Sequence, residues 1–392
     1  MGPARGPHPP VRRPRAARQL PQALRRGLRT RAAPRLRTSG ARHQAPCVAH
    51  EFTRRTAHSG GAVSAPAEVA SAFDVLREYA DHPSALLAVN AGTRHYRSDT
   101  VPGIVAHRPG RRHHIQFAAP FAPPSARGDL LDDYLRHLGR GTVLTAVQLR
   151  QEDLSLYARR GFAVNQIGSS YGIDLGRFTL RGKPLAKVRQ NVSRARREGV
   201  TVVEAGPDDL SDQRSLDDID RAWLRAKGRH VKELSFLIGE RGGPGGPLRR
   251  TFLARRHGST VAYITYSPVW GSRPGWLYDL TRRSPQTPVG TIELINLTAL
   301  TAFADEGAGW LHLGLTPFAG LHQDLEPPTV SPLLTRALQQ VARRGAALYP
   351  ARTQEAFKLK WAPHVIEPEY VAFQDRVRMG AVWHLLRAIS AV

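Results

Sequence analysis

The sequence predicts two similar α/β halves in tandem, each built on a mixed sheet, behind an Arg- and Pro-rich leading segment. Three observations carry this. With 41% apolar residues among 392, the chain can bury one or two sizeable cores, and at about 150 residues per domain its length suggests two or three domains. Residues 1–62 hold 14 Arg, no Lys and a single acid, Glu51, without an apolar period, so nothing there offsets the entropy of ordering. From residue 65 onward, amphipathic stretches alternate with short strands in an order that occurs twice.

In the first half, 63–180, residues 67–83 place Val69, Phe73, Val75 and Leu76 at helical spacing, and His82-Pro83 stops the helix. Residues 95–124 read as short strands broken by turn residues, with Pro109-Gly110 as a hairpin turn. An amphipathic helix over 129–141 ends at Gly139, a buried strand follows at 142–149, then a short helix at 151–162 and a strand at 163–175. A basic helix at 181–199 connects to the second half, 200–392. There a strand (200–205) precedes a helix (216–228), and strands follow at 251–269, turning at His257-Gly258-Ser259, and at 275–283. A helix (290–307), a strand (309–315) and a last helix (330–345) lead to a C-terminal segment ending in residues 353–364. The halves share an element order and no sequence repeat.

One cysteine, Cys47, excludes an internal disulfide framework and any multi-cysteine metal site. No apolar run approaches the roughly 18 residues of a membrane-spanning helix, so a cytoplasmic chain, or one lying peripherally on a membrane, is expected. Residues 1–62 lack the apolar centre of a secretory signal and read as an upstream-called start or a loose nucleic-acid-binding arm. The net charge is +25, and 51 of the 57 basic residues are Arg. Such a balance points to a polyanionic partner, nucleic acid or an anionic membrane surface. GC-rich coding alone would also enrich Arg on a solvated surface.

Three constellations carry chemistry. In residues 181–199, Leu185, Val188, Val192 and Ala195 form one apolar stripe, while Lys183, Lys187, Arg189, Arg194, Arg196 and Arg197 occupy much of the rest. A helix docked by that stripe offers cations to a phosphate backbone; a solvated connector would look similar. Next, Tyr278-Asp279-Leu280-Thr281-Arg282 ends a strand and a loop leads to a helix carrying Glu293. Two carboxylates and a guanidinium suit a small zwitterionic group, or else form ion pairs tying strand to helix. Finally, if residues 355–364 are a strand, Lys358 and Lys360 share a face, with Phe357, Leu359 and Trp361 on the other. Two ammonium groups beside an aromatic suit an oxyanion and a stacking platform; lysines guarding an edge strand are the plain alternative.

Together, the runs FTLRGKPLAKVRQNVSRARREG, YDLTRRSPQTPVGTIEL, GWLHLGLTPFAG and FKLKWAPH resemble the catalytic domain of phosphatidylglycerol lysyltransferases of the multiple peptide resistance factor type, over about residues 65–375. The resemblance implies two tandem acetyltransferase-like (GNAT) folds and an aminoacyl group taken from charged tRNA; 157-YARRGF-162 also resembles a turn common in acetyltransferase-like domains. It further implies that Asp279 and Arg282, matching the family's Asp-Leu-Met-Arg strand with Thr281 in place of Met, contact the aminoacyl group. By the same comparison Glu293 follows a Pro-x-Gly turn, Lys358 lies near the reacting ester, and the basic helix approaches tRNA. Tyr278, Glu293, Lys360 and Trp361 complete the expected substrate-binding set.

The multi-span domain that precedes this module in membrane members is not seen in these 392 residues, and a chain acting without it is the expectation. Stand-alone relatives acylate small molecules, so transfer, of serine for example, to a small amine or hydroxylamine in antibiotic biosynthesis is the expectation, with phosphatidylglycerol as the alternative acceptor. The ester on tRNA is already activated, so aminoacyl-tRNA serves as co-substrate and no metal or cofactor is expected. Lys358 or Arg282 would offset the tetrahedral oxyanion, and Asp279 and Glu293 would hold the α-ammonium. His312 and His364 are read as structural. An acyl-CoA N-acetyltransferase would need a Gly-rich loop opening a helix; 241-RGGPGGP-247 is Pro-broken and leads toward a strand. A non-catalytic RNA-binding protein would leave the Asp279 cluster without a purpose.

Overall fold

The computed structural model describes residues 66–206, 210–227, 236–344 and 351–388. The leading segment 1–62, expected to be disordered, lies outside the described residues. The first half opens with α1 (Pro66–Tyr79) and a buried 3-10 turn at Ala85–Val89. A meander of β1 (Arg94–Tyr96), β2 (Val105–Arg108) and β3 (His113–Phe117) follows. Helix α2 (Arg127–Leu138) ends where Gly139 takes φ 70° with extended ψ 178°, a positive-φ conformation that glycine adopts without strain. It delivers the chain to β4 (Val143–Leu149), buried along its whole length, and then α3 (Leu154–Ala158) leads to β5 (Ala163–Asp174).

The second half runs α4 (Ala186–Arg197), β6 (Val200–Glu204), α5 (Leu210–Lys227), β7 (Arg250–Arg256), β8 (Ser259–Val269) and β9 (Gly275–Arg283). It continues through α6 (Thr291–Asp305), β10 (Trp310–Pro317), α7 (Pro332–Arg344), α8 (Ala351–Leu359), β11 (Val365–Phe373) and α9 (Met379–Ala388). One expectation is corrected here. Residues 351–359 are helical, so Lys358 and Lys360 do not alternate along a strand. The strand lies beyond them, as β11, where Glu367, Pro368 and Glu369 break an otherwise apolar run.

All eleven strands join one mixed sheet in the order β1-β2-β3-β4-β11-β5-β10-β9-β8-β7-β6. β3 with β4 and β9 with β10 are parallel pairs, each joined by a crossover helix, α2 or α6. Each half then gives its last strand to the other: β5 pairs with β10, and β11 lies between β4 and β5. The halves expected at 63–180 and 200–392 therefore share a continuous sheet.

Side chains on directly opposed residues share a sheet face. One face carries Tyr370, Ala372 and Tyr171 under α2, α3, α4, α6 and α8. The other carries Val371, Phe373, Leu253 and Leu280 under α1, α5 and α9. Call this second face the α1 face.

Candidate functional site

β9 and β10 stay paired only through Gly275–Leu277 and Trp310–His312. Thereafter β10 follows β5 to Pro317 and β9 follows β8 to Arg283, so the parallel pair parts. At the parting Gly314 takes φ 71° and the β10 register shifts. Lys358 on α8 reaches this point, and its Nζ donates to the carbonyls of Gly314 (2.7 Å) and Leu315 (2.9 Å) beside the Tyr171 ring. The side chain is buried, and loss of water pulls its pKa down to about 7 against the opposing pull of Glu369. Glu369, buried on the α1 face, is pushed up to about 7 by the same loss of water. Its Oε2 has no hydrogen-bond partner among the described residues.

Glu369, Glu367, Ser170 and Arg150 line a cleft on the α1 face roofed by Pro83. An adjoining space extends it past Gly172, Arg273, His312 and Gly314. Glu367 is held by Arg273 at 2.7 Å and lies 3.9 Å from Arg150, which also pairs with Asp81 (3.0 Å) and Glu152 (2.8 Å). Sequence reasoning missed Glu367, Glu369 and Arg150. The acids interrupting an apolar run were the available signal, but Pro368 argued against a strand. His312 places Nε2 2.9 Å from the Arg273 carbonyl, and the His364 ring accepts from the Asp174 N–H; both anchor backbone, as read.

Asp279 and Arg282 lie an odd number of positions apart, which on a regular strand would put them on opposite faces. Opposite β8, Thr265 faces Leu280 while Tyr266 faces Tyr278, so Asp279 is an extra, bulged residue. The bulge re-phases the strand and brings both side chains to the α1 face. There Asp279 is sealed in an ion pair with Arg249 at 3.1 Å, both side chains 3% exposed, and accepts a hydrogen bond from Ser267 on the same oxygen. Arg249 also donates to Asn90 Oδ1 (3.0 Å). The Arg282 guanidinium lies over the Trp223 ring, 3.9 Å from its centroid, and its Nε is 3.9 Å from Asp220. Arg249, Ser267 and Trp223 were not anticipated.

Glu293 does not join this cluster. In the first turn of α6, on the opposite face, it accepts from Asn191 (2.7 Å) and pairs with Lys360. These partners hold its carboxyl below the usual range despite burial. Lys360 also sits over Phe357, against which Tyr278 packs at 5.8 Å between ring centroids. Trp361 is fully buried in the core, so its ring offers no face for stacking. The expected set thus divides: Asp279 and Arg282 on one face, Glu293, Lys360 and Tyr278 on the other, and Lys358 between them at the gap.

The N-terminus of α6, where an acyl-CoA pyrophosphate would dock, is closed by α4. Gly290 takes φ 92° and lies against the Asn191 carbonyl with no room for a side chain. On α4 the expected stripe of Leu185, Val188, Val192 and Ala195 is buried against α6. Lys183, Lys187, Arg194, Arg196 and Arg197 are exposed, with Arg194 paired to Glu198 at 3.0 Å. Arg189 instead folds back onto the carbonyls of Leu180 and Gly182, each at 2.7 Å, and supports the loop before the helix.

A mixed sheet whose central parallel pair, β9 and β10, parts partway along its length is the architecture of an acetyltransferase-like fold. Residues 73–373 match the family described as phosphatidylglycerol lysyltransferase, C-terminal, and the chain belongs to that family. A lysylphosphatidylglycerol biosynthesis bifunctional protein LysX from Mycobacterium avium is 35% identical over 140 residues, which are 36% of this chain and 12% of that protein. The LysX of Mycobacterium leprae is 30% identical over 189 residues, 43% of this chain and 16% of that protein. The chain thus matches a small part of these relatives' length. Among solved structures, L-PGS from Bacillus licheniformis superposes with TM-score 0.68 at 19% identity, over 85% of this chain and 99% of that one. A C-terminal domain (DUF2156) from Agrobacterium fabrum gives 0.67 at 22%, over 82% and 96%. At these identities the likeness is one of fold. Among the described residues no helix is long and apolar enough to cross a membrane, and no three His, Cys, Asp or Glu are grouped as metal ligands.

Proposed function

We propose that this chain transfers an aminoacyl group from charged tRNA to a hydroxyl of phosphatidylglycerol. The observation that carries the reading is the family match over 73–373 on a sheet whose parallel pair parts beside the buried amine of Lys358, with the buried carboxyl of Glu369 on β11, across β5, on the other face. The lipid takes precedence over the small amine or hydroxylamine because the family and the LysX relatives are named for lysylphosphatidylglycerol chemistry. The closed end of α6 speaks against acyl-CoA as donor. A tRNA donor puts the reaction in the cytoplasm.

In this mechanism the acceptor oxygen bonds to the ester carbonyl carbon, and the bond from that carbon to the ribose oxygen breaks. The hydroxyl proton passes to the Glu369 carboxylate and from there to the departing ribose oxygen. Lys358 spends two N–H donors on Gly314 and Leu315 and turns the third toward the oxyanion. Asp279 and Arg282 hold the aminoacyl end, the ligand ammonium competing with Arg249 for Asp279. The exposed cations of α4 bind tRNA phosphates. Because the donor ester is already activated, holding it in line with the nucleophile supplies much of the acceleration, and the mechanism draws on no further cofactor.

The test is to incubate the protein with tRNAs carrying radiolabelled amino acids, together with phosphatidylglycerol vesicles or with soluble amines and hydroxylamines. Label moving into the chloroform phase is expected. Label moving only into a soluble product would replace the lipid by a small acceptor, and binding of tRNA without ester loss would remove the transferase reading.

A further inference from the structure

Helix α9 is apolar on two sides. Ala381, Val382, Leu385 and Ala388 pack against the core beneath it. Met379, Trp383 and Leu386, spaced four and three apart, form a second stripe on the other side. Met379 is 80% and Trp383 56% exposed, and Trp383 is the one exposed tryptophan among the described residues. A soluble surface helix keeps one apolar face, so the outer stripe is unaccounted for by folding.

Its surroundings are cationic. The β2–β3 turn lies directly against α9: Gly110 abuts the His384 ring and Gly380 the His113 ring. That turn contributes the exposed Arg111 and Arg112. Arg376 and Arg378 precede the helix and Arg387 ends it; of these, Arg378 pairs with Asp375 at 3.2 Å. An exposed Trp and Met ringed by arginines complements the boundary of an anionic bilayer, where an aromatic ring sits at headgroup level and the cations meet lipid phosphates. Protein interfaces bury Trp as well, but a ring of like charges opposes the approach of a second copy.

We infer that the outer face of α9 is a docking surface for an anionic membrane, with Trp383 and Met379 inserted among the lipids. β11 gives this geometry a further sense. Val371 and Phe373, in the core cluster that α9 covers, point to the same sheet face as Glu367 and Glu369 of the cleft. Docking through α9 sets that face toward the bilayer. The surface lies outside the acyl-transfer site, and its occupation does not depend on the acceptor.

The experiment uses the full chain, whose Arg-rich leading segment is expected to add charge-driven adhesion to anionic vesicles but contains no tryptophan. Vesicles of phosphatidylcholine, or of equal parts phosphatidylcholine and phosphatidylglycerol, carry brominated acyl chains that quench an inserted indole. Quenching is expected with the anionic vesicles only, and should vanish in Trp383→Phe while co-sedimentation persists. Met379→Ser/Trp383→Ser should raise the vesicle concentration for half-binding at 0.3 M salt at least about tenfold, the loss of roughly two buried apolar side chains. Equal quenching in wild type and Trp383→Phe would overturn the inference. So would a dimer in solution that Trp383→Ser dissolves, since the stripe would then belong to a second copy.

Discussion

Lys358 and Glu369 feel each other's charge from opposite faces of the sheet, the amine brought by α8 to β10 and the carboxyl carried on β11 across β5, and both are cut off from water. Their burial disfavours the charged form of each, so the pair works against folding and for chemistry. A base poised near neutrality can take a proton and return it.

The pH dependence of stability follows with definite signs. Glu369 rises on folding from 4.5 to about 7, so the native state binds more protons and stability falls as pH climbs through that window. Lys358 drops from 10.5 to about 7, so its penalty is full below 7 and is relieved as pH rises toward 10.5. Urea denaturation should show Glu369→Gln gaining on wild type between pH 4.5 and 7, and Lys358→Met losing its advantage between 7 and 10.5. Parallel curves for wild type and both variants would show the groups to be solvated.

Lys358→Met should also lower transfer at least a hundredfold with tRNA affinity unchanged, because it removes charge stabilisation in the transition state. Filter binding and single-turnover ester loss separate the two effects. An equal loss in affinity would move Lys358 from chemistry to tRNA binding.

The buried Asp279–Arg249 pair changes what Asp279→Ala would report. Truncation leaves a buried guanidinium unpaired and should cost about 3 kcal/mol. Asp279→Asn keeps the shape and a hydrogen-bond acceptor but not the counter-charge of Arg249, so it should recover only part of that stability while losing transfer per folded molecule. If Asn retains wild-type turnover, the carboxylate is structural.

On α4, Lys187→Glu with Arg196→Glu and Arg197→Glu should weaken tRNA binding and flatten its salt dependence by about one unit of slope per lost phosphate contact. Arg189→Ala should instead lower the melting temperature, since its guanidinium holds two carbonyls. A weaker effect of the triple variant on tRNA than of Arg189→Ala would locate the RNA elsewhere.

Gly290→Ala should destabilise by about 2 kcal/mol or more, as φ 92° and the Asn191 carbonyl both resist a side chain. Thermal unfolding would show a neutral substitution at once.

Elements with strong local signals were legible in the chain: the Gly139-capped helix, the hairpin at His257–Gly258 and the buried stripe of α4. Local signals failed where distant pairing decides. FKLKW alternates like a strand, yet the turns before it are helical and carry Lys358 into the core. β11 contains Pro368, tolerated because β4 pairs with β11 only from Tyr370 onward, leaving the preceding residues without a neighbour on that side. The candidate site was half legible. Residue types at 279, 282 and 358 announced chemistry, but the bulge that sets Asp279 beside Arg282 and apart from Glu293 depends on register with β8.

The exchange of closing strands makes the molecule indivisible at its most inviting seam. A backbone cut in the loop between β5 and α4 yields two fragments that each lack the neighbour of their parallel pair and expose a long apolar edge. Either piece alone should aggregate, whereas the two expressed together should dock and reconstitute the native sheet, a split protein whose assembly switches the gap around Lys358 on.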